Sequence, residues 1–330
     1  MDTVPWIFVE SVCLCLLDRR SRTRSTKLSV WGKICTATRK KIHTLRVLLD
    51  GERKKIYAAA EPIRNSFSFL DHSNALDSVD LKFVTNFRIE ACTYHFSKTY
   101  LNTWKEITLD DLQRLVHFIT PVRNERHPLS CNGQSLNTLL LCSGDSWINE
   151  NLLSMQLPVG SVVLLGVEAN EFFETAGSFY HVCHAERTLK QSAIDAIIEK
   201  FVPIDGGSFD VNQKLSDKQL KKLFEKCATA NKRVSVSFIP EDIWANKTVT
   251  IWAKPKDYTK ILDSTGPIDY DKYYSEREVI QPEREVRFVN EDKEKLKLQV
   301  RLYEGTHRYA STIEWMWLKA SLKKLELPSS

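Results

Sequence analysis

The sequence predicts an α+β protein: a short helical module over residues 1–43, then a mixed α/β domain over 44–330 carrying several β-hairpins. Three observations point there. Apolar residues in the first forty positions are spaced for two short helices. From Leu45 onward, stretches of period-two alternation trade places with stretches of helical spacing. Turn chemistry, above all Asp50-Gly51, separates the alternating stretches. A further division of the larger domain falls near 205–215.

The first helix opens at Val4-Pro5, where proline's fixed φ suits a first turn and its missing N–H is not needed. Phe8, Val12 and Leu16 recur along it. A basic connector leads to a second short helix through Leu28, Trp31 and Ile34, ending near Lys40-Lys41. Leu45, Val47 and Leu49, then Ile56, Ala58 and Ala60, alternate about Asp50-Gly51 and read as a hairpin. Val79–Phe83 and Phe87–Ala91 read as a second hairpin around Thr85-Asn86. Thr108 with Asp111 three residues on caps a helix through Leu112, Leu115, Val116 and Ile119. The runs 136–142 and 161–167 are nearly all apolar, as buried strands are.

Leu189, Ala193, Ile194, Ile197, Ile198 and Phe201 share one helical stripe, after which Asp205-Gly206-Gly207 reads as a C-terminal stop. Ser216 and Gln219 form a capping box for a helix through Leu220, Leu223, Phe224 and Cys227. Period two returns at Val234–Phe238 and at Val249–Ala253. The stretch 266–282 is polar and Tyr-rich, which reads as a loop. Val286 and Phe288, a charged turn at 290–294, and Leu296 to Leu302 make the clearest hairpin. The terminal Ile313–Leu318 is read as a helix running to Leu325. Strand–helix units between about 105 and 240 recur irregularly, so a degenerate leucine-rich-type solenoid is the alternative for the middle region, although its Asn ladder is missing.

A chain of 330 residues with 42% hydrophobic content has ample material for a core. Its net charge of +5 is uneven: residues 1–49 hold ten Lys/Arg against Asp2, Glu10 and Asp18, a balance of +7, so the rest sums to −2. The eight cysteines are scattered through apolar runs rather than set in a disulfide framework, and Cys13 and Cys15, two apart on a helix, diverge around its axis. The N-terminal apolar stretch follows an acid, precedes its positive charge, and is too short to span a bilayer, so neither a secretory signal nor membrane insertion is expected. These features place the chain in the cytoplasm or nucleus.

The residues offer no catalytic signature: no nucleophile elbow, no phosphate-binding glycine loop, no dinucleotide fingerprint and no His-Glu-x-x-His. The chain is therefore expected to be no enzyme and to carry no cofactor. Cys92-x-x-His95 and His181-x-Cys183-His184 lie far apart without paired zinc-ligand spacing, so no metal is expected. The basic segment 19–46 invites a nucleic-acid reading, but Trp31 is its only interleaved aromatic and lies at an apolar helix position. A solvated connector explains the same charges, and an interaction scaffold unrelated to ubiquitin is a further alternative.

Val4-Pro5-x-x-Phe8-Val9-x-x-Val12-x-x-x-Leu16, then Leu28-x-x-Trp31-x-x-Ile34, resembles a divergent F-box of the nematode-expanded type, and the hairpin-rich remainder resembles an F-box-associated domain. The motif covers about 35–40 residues. The resemblance implies a non-catalytic substrate receptor of an SCF-type ubiquitin ligase. Pro5, Phe8, Val12, Leu16 and Trp31 would face the adaptor subunit, and the domain from about 45 onward would hold a protein target. Within that domain, Tyr270, Tyr273 and Tyr274 are the expected target-binding residues, because tyrosine combines contact area with a polar tip at small entropic cost. This chain departs from the family in its longer basic connector and in lacking the acid after the proline.

Overall fold

Two N-terminal helices form as expected, α1 over Trp6–Cys15 and α2 over Ser29–Lys41. The computed structural model describes residues 4–15, 29–62, 73–91, 103–119, 127–131, 136–239, 266–282, 284–292, 294–303 and 312–319, with backbone only at 15, 29 and 30. Leu16, Leu28 and the expected strand at Val249–Ala253 lie outside the described residues. The chain divides into two compact units, 1–200 and 201–330.

In the first unit, β1 (His43–Asp50) and β2 (Lys55–Pro62) make the hairpin that Asp50-Gly51 announced. Asp50 stabilises its turn by accepting from the backbone N–H groups of Glu52 and Arg53 at 3.1 and 2.9 Å. The expected hairpin at 79–91 does not form. Leu81–Phe83 is a 3-10 turn capped by Asp80, and β3 (Val84–Ala91) runs straight through Thr85-Asn86. Tertiary bonds override the local turn preference there: Thr44 donates to the buried Asn86 Oδ1 at 3.0 Å, and Asn137 Oδ1 accepts from Phe87 N–H at 3.2 Å.

The remaining elements of this unit are β4 (Lys105–Ile107), α3 (Leu109–Ile119), β5 (Thr138–Cys142), α4 (Ser146–Ser154), β6 (Ser161–Leu165), α5 (Asn170–Thr175), β7 (His181–Ala185) and α6 (Gln191–Lys200). Thr108 and Asp111 cap α3 reciprocally, as their spacing predicts. The strand order is β4-β2-β1-β3-β5-β6-β7. From β1 to β7 every pairing is parallel, and β5, β6 and β7 are consecutive neighbours, with one α-helix between β5 and β6 and one between β6 and β7.

The second unit holds β8 (Gly207–Lys214), α7 (Asp217–Ala230), β9 (Val234–Ile239), a 3-10 turn at Tyr270–Lys272, β10 (Glu276–Gln281), β11 (Glu285–Val289), β12 (Lys297–Tyr303) and β13 (Thr312–Leu318). Its strand order is β8-β9-β13-β12-β11-β10, with β8 and β9 parallel and the rest antiparallel. The Ser216–Gln219 capping box is present at the start of α7, and Asn231 ends the helix in the left-handed region at φ 49°. Asp205-Gly206-Gly207 stops no helix; Gly206, at φ +80°, makes the turn into β8.

Two further expectations fail in this unit, for one reason. Ile313–Leu318 is a strand, not a helix: Ile313, Trp315 and Trp317 alternate inward, and β13 is paired on both sides, to β12 and β9. The stretch 266–282 is no simple loop, since β10 closes one edge of the same sheet. In both cases long-range pairing decides between structures that the local sequence permits. Trp315, Phe224, Phe238, Phe288 and Tyr270 form an aromatic core in which Tyr270 stacks on Phe288 with ring centroids 4.3 Å apart.

Candidate functional site

Helix α1 is apolar nearly all round, and such a helix must bury more than one side. Its inner side, Val9 and Cys13, packs with Ile34 and Cys35 of α2, with Val4 and Trp31 at the margin of the cluster. Cys13 and Cys35 form a disulfide, with Cα atoms 5.9 Å apart. The spacing of the cysteines gave no sign of this pairing, because the partner lies 22 residues away on another helix. Glu10 lies between Lys41 Nζ at 3.4 Å and Lys82 Nζ at 3.9 Å, and both ammonium groups sit about 5 Å from the Phe83 ring centroid. These charged contacts tie α1 to α2 and to the entrance of β3.

The outer side of α1 has no such partners among the described residues. Trp6, Ile7 and Phe8 are 51%, 75% and 55% exposed. Pro5 is exposed beside them, and Val12 is half-buried. Trp31 does not share this outer side. It leans half-buried against the α1–α2 cluster, with its indole N–H buried and without a hydrogen-bond partner among the described residues. Of the five residues expected at an adaptor surface, Pro5 and Phe8 are open, Val12 is marginal, Trp31 is turned inward, and Leu16 lies outside the described residues. Trp6 and Ile7 complete the patch in the structure. Their signal was present in the sequence, where three large apolar residues run together and a one-sided helix would place at least one in water.

The three tyrosines separate in the same way. Tyr270 is fully buried in the aromatic core and Tyr274 nearly so, its hydroxyl accepting from Trp317 Nε1 at 3.0 Å. Burial pushes the Tyr274 phenol well above its ordinary value. Neither ring is open to a target. Tyr273 is half-buried and its hydroxyl donates to Glu225 Oε1 at 3.1 Å; Lys272 Nζ reaches the same oxygen at 3.3 Å and lies 5.0 Å from the Tyr273 ring centroid. These two bonds hold the Glu225 carboxyl below its ordinary range, the tyrosine being the larger cause. Beside them opens a cavity of about 330 Å³, lined by the end of α7, Tyr273, Tyr274, Lys295, Leu296 and Trp317.

The basic segment is partly accounted for internally. Arg46 pairs with Glu61 at 2.8 Å and with Glu90, and Lys41 pairs with Glu10. Arg19, Arg20, Arg22, Arg24 and Lys27 lie outside the described residues. His184 is buried, its Nε2 within 3.2 Å of the Val167 carbonyl. Among the described residues no three His, Cys, Asp or Glu side chains are placed to hold a metal ion, and no helix is long and apolar enough to cross a membrane. No known protein family, no curated protein and no solved structure matches the chain.

Proposed function

We propose that the chain is a non-catalytic protein–protein interaction protein that serves as substrate receptor of an SCF-type ubiquitin ligase, with α1 and α2 docking on the adaptor subunit and the larger domain carrying the target. One observation carries the reading. Trp6, Ile7 and Phe8 are all exposed around the first turn of α1, while Val9 and Cys13 are held against Ile34 and Cys35. An amphipathic or all-apolar helix that leaves large anchors in water is suited to a hydrophobic groove. The divergent F-box pattern of residues 4–34 names the groove's owner as the ligase adaptor. Such a receptor does no chemistry; it raises the concentration of target near the ligase.

The test is capture of the purified adaptor by the full chain and by an Ile7→Asp, Phe8→Asp variant. Both positions are exposed, so the variant should fold with an unchanged melting temperature and lose adaptor binding. Binding that is absent from the native chain, or equal in the variant, would remove this reading.

A further inference from the structure

We propose that the cavity at the C-terminal end of α7 is a recognition site for an acidic side chain of a peptide. The proposal rests on the reading above only in taking that peptide to belong to the target. The cavity is lined by residues of the second unit, and among the described residues its charged lining side chains are Lys272 and Lys295, with no Asp or Glu. Trp317, Tyr274 and Leu296, all nearly buried, close the inner wall of the cavity, and the Trp317–Tyr274 hydrogen bond fixes that wall before anything binds.

The protein itself displays the recognition chemistry. At the cavity's rim the Glu225 carboxylate is already gripped by the Tyr273 hydroxyl and the Lys272 ammonium at 3.1 and 3.3 Å. Lys295 is exposed and has no acidic partner among the described residues. The opposing influence is the end of α7, whose last carbonyls carry about half a negative charge. Lys272 is balanced by Glu225, and the full charge of Lys295 outweighs the partial charge of the helix end. The site is thus complementary to one carboxylate entering beside Lys295, with a second able to take the place of Glu225 on Tyr273 and Lys272.

That exchange makes a prediction which simple surface charge does not. Removing an acid from the protein, as in Glu225→Gln, changes net charge by only one unit but frees two ligands at the rim. The experiment measures fluorescence anisotropy of a fluorescein-labelled hexaglutamate peptide, and of its hexaglutamine counterpart, with the full chain at physiological salt. The glutamate peptide should bind more tightly than the glutamine peptide. Lys295→Glu should weaken that binding by about fivefold, the upper size of an exposed ion pair. Glu225→Gln should tighten it by about twofold to fivefold, for the same reason in reverse.

Equal binding of the two peptides, indifference to Lys295→Glu, or weaker binding by Glu225→Gln would each overturn the assignment. The variants alter exposed side chains, and unchanged melting temperatures will show that the core is intact. Adaptor capture is read separately, through Ile7 and Phe8. Its loss with glutamate binding intact removes the ligase reading alone, and the converse removes the cavity alone.

Discussion

At the scale of single residues, burial rather than residue type decides which side chains are available for recognition. Tyr270 and Tyr273 lie three positions apart in a stretch that the sequence presents as uniformly polar. One is stacked on Phe288 in the core, and the other has an open edge. Tyr270→Ser should therefore cost roughly 3–5 kcal/mol, as large-to-small changes at buried aromatics do. Tyr273→Ser should leave the urea midpoint nearly unchanged, and denaturant titration of the two variants checks the contrast. Nothing local to 266–278 distinguishes the two rings; the distinction comes from β11, which is distant in sequence. A second residue-scale expectation concerns pH. Burial holds the His184 imidazole below its ordinary value of 6.5, against the smaller opposing effect of the Val167 carbonyl. Below about pH 6.5 the unfolded chain therefore takes up protons that the native chain refuses, and stability must fall as pH falls. Buried His43 and half-buried His181 are shifted in the same direction, also through desolvation. Urea midpoints should decline between about pH 7 and pH 5, and His184→Gln, which can still donate to Val167, should flatten part of that decline.

At the scale of elements, legibility followed how local the deciding contacts are. The caps of α3 and α7 and the Asp50-Gly51 hairpin were readable because each is made by residues within a few positions of one another. The strand at 312–318 was not. Ile313, Trp315 and Trp317 fit a strand face, but the same segment also tolerates helical spacing, and only pairing with β9 and β12 resolves it. The patch on α1 was half legible, since its pattern named Phe8 but placed Trp31 outward, where the structure packs it on Cys13, Ile34 and their neighbours. The Cys13–Cys35 link belongs to the same class of hidden contact. It closes a segment of 22 residues between two short helices that share a small core. Replacing Cys13 by Ala should cost about 3 kcal/mol on the chain-entropy account of a loop that size. Chemical unfolding of the Cys13→Ala variant measures the loss, and treating the native chain with dithiothreitol should reproduce it. A variant as stable as the native chain would mean that the link adds nothing to the helical pair.

At the scale of the whole molecule, composition bounded the fold class well and the topology poorly. Alternating and helical stretches established a mixed α/β protein, but hairpin signals overstated the antiparallel share of the first unit, where four successive pairings are parallel. Parallel neighbours are joined by long connections, and no turn motif announces them. The strict sequence order of β5, β6 and β7 has a consequence for how this part of the chain is acquired, both in a folding event and over generations. Within this run β6 pairs only with the strands immediately before and after it, while β5 also pairs with β3, past β4. Order can therefore start at any one strand and spread to its neighbours without waiting for distant chain ends to meet. By the same logic a strand with its helix is a nearly self-contained increment. Losing or duplicating one would change the sheet by a single strand, so descendants of this chain can change length in whole steps.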